Sequence, residues 1–380
     1  MIPKETIDEI FNACIIEDVV GDFVTLKKRG ANYLGNCPFH NEKTPSFTVS
    51  PAKGIYKCFG CGKAGNSVNF IMEHEHYTYP EALKYLADKY QIEVEEEEQS
   101  DAQIQAANEK ESLYIVSNFA AKYFANELLN TDKGKAIGLS YFEERGFTPE
   151  TIEKFQLGYS PDEWTAFTDE AQNAGYDIKY LEKSGLTIVK ENKKFDRFKG
   201  RVMFPIHNLS GRVLGFGGRI LTNDKKAAKY INSPESEIYD KSNVLYGIYF
   251  AKKSITQEDN CFLVEGYTDV ISLSQTGVEN VVASSGTSLT EGQIRLISRY
   301  TKNITILYDG DIAGIKASFR GIDMILQEGM NVKVVLFPDG EDPDSYAKKA
   351  TTEELKEYIG EKAQDFIQFK ISVLLEESGK

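Results

Sequence analysis

The sequence predicts a multidomain protein of mixed α+β and α/β class. A small N-terminal ribbon comes first, then a basic α+β subdomain, then an α/β sheet of largely parallel strands leading into the start of a C-terminal helical region. Three observations carry this. Two cysteine/histidine pairs flank a short alternating stretch near the N-terminus. Basic residues crowd the segment from Lys190 to Lys229. From Cys261 onward, apolar strand-like runs alternate with helical segments.

The ribbon rests on Cys37-Pro38-Phe39-His40 and Cys58-Phe59-Gly60-Cys61, two ligand pairs with two residues inside each. Thiolate and imidazole are the ligands Zn²⁺ prefers, and pairs at this spacing close a tetrahedral site without help from the rest of the chain. Cys37, His40, Cys58 and Cys61 are therefore expected to hold one zinc ion. Four protein ligands leave no open position for water, so the ion is structural. Between the pairs, Pro45 to Val49 and Ile55 to Cys58 alternate apolar with polar residues around the turn Pro51-Ala52-Lys53-Gly54, which predicts a β-hairpin. Phe47 and Tyr56 on that hairpin are candidates to stack on unpaired bases or to pack over the metal.

Thr6-Ile7-Asp8-Glu9 reads as a capping box opening a first helix, with Ile7, Ile10, Phe11, Cys14 and Ile15 on one face. Helical stretches at Asn66 to Met72 and Tyr79 to Leu86 close a unit over residues 1–92. His74 and His76 lie two apart, so on a helix they point in different directions and belong to the surface rather than to a second metal.

Residues 93–112, from Glu93-Val94-Glu95-Glu96-Glu97-Glu98 onward, are acidic, polar and without apolar period, and are expected to be a flexible tether. Helical period resumes at Leu113 and opens a subdomain over 113–254. Within it, Arg201 to Ile206 and Arg212 to Arg219 alternate as a hairpin around Asn208-Leu209-Ser210-Gly211. Gly217-Gly218 is placed to let the backbone approach something closely, or to form an edge bulge.

The net charge of −14 speaks against a nucleic-acid partner only as an average. From Lys190 to Lys229 eleven basic residues face three acidic ones, interleaved with Phe195, Phe198, Phe204, Phe216 and Tyr230. Such a strip neutralises phosphates, while carboxylates elsewhere repel a nucleic acid from the remaining surface. Three of the five cysteines belong to the zinc pairs, with His40 as the fourth ligand, and Cys14 and Cys261 read as inert core thiols in a reducing compartment. No apolar run reaches membrane-span length and the opening residues lack a signal-peptide layout, so a cytoplasmic protein is expected.

The α/β region covers 255–345, and the helical start 346–380. Its apolar runs are Cys261 to Val264, Val278 to Ala283, Ile304 to Leu307 and Val332 to Leu336, with helices from Ser288 to Tyr300 and Ala313 to Gly329. Ligands of such sheets bind beyond the carboxyl ends of the strands. Acidic residues collect there: Glu265 and Asp269 after the first run, Asp309 and Asp311 after the third, Asp342 and Asp344 after the fourth. Converging carboxylates repel one another unless cations sit among them, and hard oxygen donors suit Mg²⁺ or Mn²⁺. Asp309-Gly310-Asp311 alone would be a turn; in register with Glu265 and Asp342 it points to two metals that activate a 3′-hydroxyl and stabilise departing pyrophosphate.

These residues together resemble the bacterial replicative DNA primases of the DnaG type. The zinc pairs and Asn41 to Phe47 resemble that family's zinc-binding domain. Arg201 to Ile206, Gly215 to Arg219, Lys229 to Glu235, Leu245-Tyr246-Gly247, Glu265 to Asp269 and Glu341 to Asp344 resemble its polymerase core. The sheet with Glu265 and Asp309-Gly310-Asp311 is similar to the Toprim domain shared with topoisomerases. The resemblance implies an RNA polymerase that starts chains without a primer on single-stranded DNA, using NTPs. It implies that Glu265, Asp309 and Asp311 hold the catalytic metals with Asp269, Asp342 and Asp344 in support. It further implies that Arg145, Arg197, Lys199, Arg201, Arg219, Lys229, Asn232 and Lys241 meet template or nucleotide. The family's helicase-docking domain has no counterpart in these 380 residues, so helicase docking is not carried over. Two other readings share parts of the pattern. A topoisomerase or Toprim nuclease would have the carboxylates without the basic hairpin, and a non-catalytic single-strand-binding module would leave the carboxylates unexplained.

Overall fold

A computed structural model describes residues 2–75, 77–94, 101–191, 193–222, 227–286, 289–308, 321–338 and 340–378. The chain forms two compact units, Met1–Gln105 and Ala106–Lys380.

The first unit is built on an antiparallel sheet of β1 (Lys27–Arg29), β2 (Asn32–Gly35), β3 (Phe47–Ser50), β4 (Ile55–Cys58) and β5 (Ala64–Gly65), in that order. The expected hairpin is β3–β4. Its turn is one 3₁₀ turn, Pro51–Lys53, closed by Gly54 at φ 61, a conformation glycine adopts without strain. β1 and β2 extend the sheet beyond the hairpin; Lys27-Lys28-Arg29 is exposed throughout and offers no alternation to read. Alternation in β3 and β4 sends Phe47, Val49, Tyr56 and Cys58 inward. Phe47 stacks on Tyr56 at 5.2 Å and Tyr56 meets the edge of Phe70 at 5.5 Å. Both hairpin aromatics are wholly buried, so neither is available for base stacking. The aromatic ring this hairpin exposes is Phe59, 71% accessible between two zinc ligands.

The first helix corrects another expectation. It spans Lys4–Ala13 with Pro3 at its N-cap, and the Pro3 carbonyl accepts from the Ile7 amide at 3.0 Å. Proline's fixed φ suits a helix start, so the helix opens before Thr6 and that residue lies inside it, not at its cap. Ile10 is buried, while Phe11 and Ile15 are largely exposed. The later helices, Ser67–His74 and Tyr79–Tyr90, are opened by capping boxes at Asn66 and Thr78. His74 stacks on Phe70 and pairs with Glu75 at 2.7 Å; His76 lies outside the described residues.

A helix of Asp101–Asn130 begins within the stretch read as tether. Ala, Gln, Glu and Lys between 102 and 112 are strong helix formers, and propensity carries the helix where apolar period is missing.

The second unit holds two main sheets. Strands β6 (Gly158–Ser160), β9 (Arg201–His207), β10 (Val213–Ile220) and β11 (Tyr230–Asn232) form an antiparallel sheet in the order β11-β10-β9-β6, and β7 (Thr187–Lys190) pairs with β8 (Lys193–Asp196) as a separate ribbon. The register shift lies between Val213 and Gly215, where β10 pairs with β9, and not at Gly217-Gly218, where β10 is paired on both sides. The second sheet runs β13 (Val281–Ala283), β12 (Cys261–Val264), β14 (Asn303–Tyr308), β15 (Asn331–Leu336) and β16 (Gln364–Asp365). Its first four strands are parallel, and β16 adds an antiparallel edge. Side chains of β12, β14 and β15 divide between two cores: Val264, Leu307 and Val335 on one face, Leu263, Ile306 and Val334 on the other. That explains the near-continuous apolar runs, because a sheet covered on both faces has no polar side to alternate. No helix among the described residues is long and apolar enough to cross a membrane.

Candidate functional site

In the first unit the ligand atoms of Cys37, His40, Cys58 and Cys61 lie within 4.8 Å of one another, two residues from each knuckle. Cys37 Sγ and Cys61 Sγ are 3.8 Å apart, as are Cys58 Sγ and His40 Nδ1. Tetrahedral Zn–S bonds of about 2.3 Å require sulfur separations of about 3.8 Å, so the donor set fits zinc in both chemistry and spacing. Burial works against the Cys58 thiolate, but donors from Ser46, Cys61 and Gly60 outweigh it and bring the group down to about 6. The sequence reading missed Glu42. Its carboxylate lies 3.3 Å from His40 Nε2 and accepts from the Cys37 and Ser46 amides at 2.7 and 3.0 Å. A carboxylate behind a histidine ligand fixes the ring and leaves Nδ1 for the metal. The signal was its place in the run Cys37 to Phe47, two residues after the histidine.

In the second unit the predicted carboxylates follow the strands of the parallel sheet in sequence. β12 lies between β13 and β14, so the chain leaves β12 to one side and β14 to the other, and the carboxyl ends of these two strands mark the switch point at which such sheets bind ligands. Glu265 follows β12 directly and is exposed, with no group among the described residues paired to its carboxylate. Asp309 and Asp311 follow β14 and lie outside the described residues. Asp269 accepts from the Gly266 amide at 2.9 Å and so caps the helix Tyr267–Gln275. Asp342 caps the helix Pro343–Ala347, accepting from the Ser345 amide at 2.6 Å. Asp344 turns the other way. It is buried and accepts from Arg145 at 2.6 Å, Lys348 at 2.7 Å and the Ser272 hydroxyl.

The basic strip divides similarly. Arg201 is only 7% exposed, and its Nη1 donates to the carbonyls of Gly218, Ala228 and Lys229 at 3.1 to 3.4 Å. It ties β9 to the strands beside it rather than facing solvent, and Phe198, Phe204 and Phe216 are core residues rather than part of a surface strip. Arg197 Nε donates to the Gly185 carbonyl at 2.7 Å. Lys199 pairs with Asp162 and sits 4.7 Å over the ring of Trp164. Arg219 bonds the Tyr141 hydroxyl; Arg145 and Arg219 lie 5.4 and 4.8 Å from the Tyr141 ring, from which burial, partly offset by both arginines, moves the phenol up to about 12. Lys229 is exposed and Lys241 half-exposed, neither ammonium having a carboxylate partner among the described residues; Lys225 and Lys226 lie outside them. Gly217 approaches the ring of Tyr267, where a Cβ would stand 2.4 Å from Cζ. This is the close approach its sequence suggests. Asn232 bonds Tyr267 and Ser285.

Three family models match in succession: the CHC2 zinc finger over residues 2–102, the DNA primase catalytic core N-terminal domain over 123–252, and a Toprim-like domain over 262–347. The DNA primase of Halalkalibacterium halodurans is 45% identical over 97% of this chain, and that of Clostridium acetobutylicum 41% identical over 98%. The chain spans 61% of the length of both. The crystal structure of the Aquifex aeolicus primase (zinc-binding and RNA polymerase domains) is 36% identical and aligns with 98% of this chain and 88% of its own at a TM-score of 0.64. A DnaG primase catalytic domain bound to ssDNA is 34% identical, covers 71% of this chain and 84% of its own, and gives 0.65. With a zinc ribbon, a primase core and a Toprim-like sheet following one another at this identity over nearly its whole length, the chain belongs to the DnaG family of bacterial DNA primases.

Proposed function

We propose that this chain synthesises short RNA primers de novo on single-stranded DNA for replication. The observation that carries the reading is Glu265, a carboxylate with no partner among the described residues at the switch point between β12 and β14, in a chain whose relatives are primases. A family neighbour bound to ssDNA supports the template as partner. In this reading the chain divides at 1–92, 93–112, 113–254, 255–345 and 346–380 into zinc domain, linker, basic subdomain, Toprim sheet and helical start.

Glu265, Asp309 and Asp311 are the residues to hold two Mg²⁺ or Mn²⁺ ions, which when bound lower the pKa of the attacking hydroxyl and neutralise charge on the leaving group. Asp269 and Asp342 shape the loops on either side by capping helices. Asp344 acts at a distance, through Arg145. Lys229, Lys241 and Arg219 take template or nucleotide phosphates, with Lys199 and Arg197 on the flank and Arg201 supporting the strand beneath. The single zinc ion is structural and holds the ribbon that presents Phe59. In the test, the protein is incubated with single-stranded DNA, NTPs and Mn²⁺ or Mg²⁺, without primer. New short RNA supports the reading. Template binding without any RNA product defeats it.

A further inference from the structure

Asn232 stands on β11 opposite Gly217 of β10. Both ends of its carboxamide are engaged: Nδ2 donates to the Ser285 carbonyl at 3.0 Å, and Oδ1 accepts from the Tyr267 hydroxyl at 2.7 Å. The two partners bracket Glu265. Tyr267 is two residues beyond it and opens the helix that follows. Ser285 donates its own amide to the Glu265 carbonyl at 3.2 Å.

Two further observations mark this as a built joint. A Cβ on residue 217 would stand 2.6 Å from the Tyr267 hydroxyl oxygen, so glycine opens the slot through which the phenol passes β10 to reach Asn232. Ser285 holds φ 57, in the left-handed region that a side chain with a Cβ adopts at a cost. Its amide is fixed by Glu265 and its carbonyl by Asn232, one on each side of the unfavourable angle. A primary amide offers a donor and an acceptor at once, which this position uses in full.

We infer that Asn232 is a positioning residue that locks the Glu265 loop to β11, and that its role is to set where the metal-holding carboxylate stands relative to the strand after Lys229. The inference rests on the reading of Glu265 as a metal ligand.

The test uses the full chain with its zinc site filled. Mn²⁺ binding is followed by the loss of the free aqua-ion signal in electron paramagnetic resonance, and single-stranded DNA affinity by fluorescence anisotropy. Asn232→Ala is expected to weaken Mn²⁺ binding several-fold, and Tyr267→Phe to leave DNA affinity within about twofold. Saturating Mn²⁺ should restore most of the primer-synthesis rate. Tyr267→Phe, which keeps the buried ring and removes only the hydroxyl, should act in the same direction. The double variant should lose little more than the weaker-binding single one, because both remove the same joint. Unchanged Mn²⁺ binding in Tyr267→Phe and Asn232→Ala, or a DNA affinity of Tyr267→Phe that falls while its metal binding stays, overturns the inference, as does a parent that binds no Mn²⁺ beyond its zinc site. A parent that makes no primers but shows the Asn232-dependent Mn²⁺ affinity defeats the primase reading and leaves the joint standing.

Discussion

Arg145 donates through Nη1 to the carboxylate of Asp344 at 2.6 Å, closing a contact between residues 199 apart in sequence. The sequence assigns Arg145 to template or nucleotide and Asp344 to the support of the metal residues. The structure pairs them with each other. Asp344 adds Lys348 and the Ser272 hydroxyl, so a half-buried arginine and a buried carboxylate join the helix ending at Arg145 to the helices Tyr267–Gln275 and Pro343–Ala347. Burial depresses the Arg145 guanidinium, but Tyr141 and Asp344 outweigh it and hold the group above its ordinary range.

Removing one partner of such a pair leaves the other charge stranded. Asp344→Asn or Arg145→Ala should lower unfolding stability of the second unit by about 3 kcal/mol, read from urea midpoints at constant m-value. Primer synthesis well below the transition should persist at a reduced rate. Asp309→Ala should do the reverse, abolishing nucleotide incorporation while sparing stability and template binding. Equal loss of synthesis in Asp344→Asn at unchanged stability would return Asp344 to the metal site.

The zinc ribbon gives a second expectation. Cys61→Ser should release the metal and unfold residues 1–92, as seen by metal analysis and loss of the aromatic near-UV signal, because a core of this size depends on the ion. Glu42→Gln is the finer test. It keeps the oxygen that accepts from the Cys37 and Ser46 amides but replaces the one facing His40 Nε2, so zinc affinity by chelator competition should fall about tenfold or more. Unchanged affinity would make Glu42 a turn residue only.

What the sequence made legible follows from how local each signal is. The zinc pairs, the β3–β4 hairpin, the β9–β10 hairpin and the parallel strands all announce themselves within about ten residues, through ligand spacing or period. Exposure is not local. Nothing in Arg201-Val202-Met203 tells that Arg201 turns inward under Gly218, or that Phe47 faces a core made by Phe70. The start of the first helix was misread because Thr6 to Glu9 fits a capping box as well as a helix interior, and Pro3 decides between them. Glu42 and Asn232 act on neighbours that only folding supplies.

His207 carries a pH dependence. It is buried at the end of β9 within hydrogen-bonding distance of Gln156, and desolvation lowers its pKa from 6.5 to about 4. The unfolded chain takes up a proton as pH falls through 6.5 while the folded chain resists until about 4, so the unfolded state binds more protons across that window. Stability should therefore fall with pH between those values, by up to about 3 kcal/mol from this group. Comparing unfolding free energies of the parent and His207→Gln at intervals from pH 4 to 7 isolates it. Parallel curves for the two proteins would show that His207 is not the source.

The last prediction separates Arg201 from Lys229. Both lie in the basic strip, yet Arg201 is buried against three carbonyls while Lys229 is exposed with a free ammonium among the described residues. A cation that reaches a phosphate releases counterions, and each such contact on a single strand contributes about 0.7 to the slope of log K against log salt. Lys229→Ala should weaken single-stranded DNA binding on every sequence, reduce that slope by about 0.7, and leave stability unchanged. Arg201→Ala should remove the donor shared by three carbonyls, of which that of Lys229 keeps the Ile220 amide, and leave a cavity under Gly218, so its main effect is on folding, by about 2 kcal/mol or more. Its salt slope should match the parent at temperatures where it is folded. Measuring DNA affinity at several salt concentrations alongside unfolding for both variants decides the matter. If Arg201→Ala flattens the slope and keeps its stability, the buried guanidinium must swing out to meet the template, and β9 rather than the strand after Lys229 is where the DNA lies.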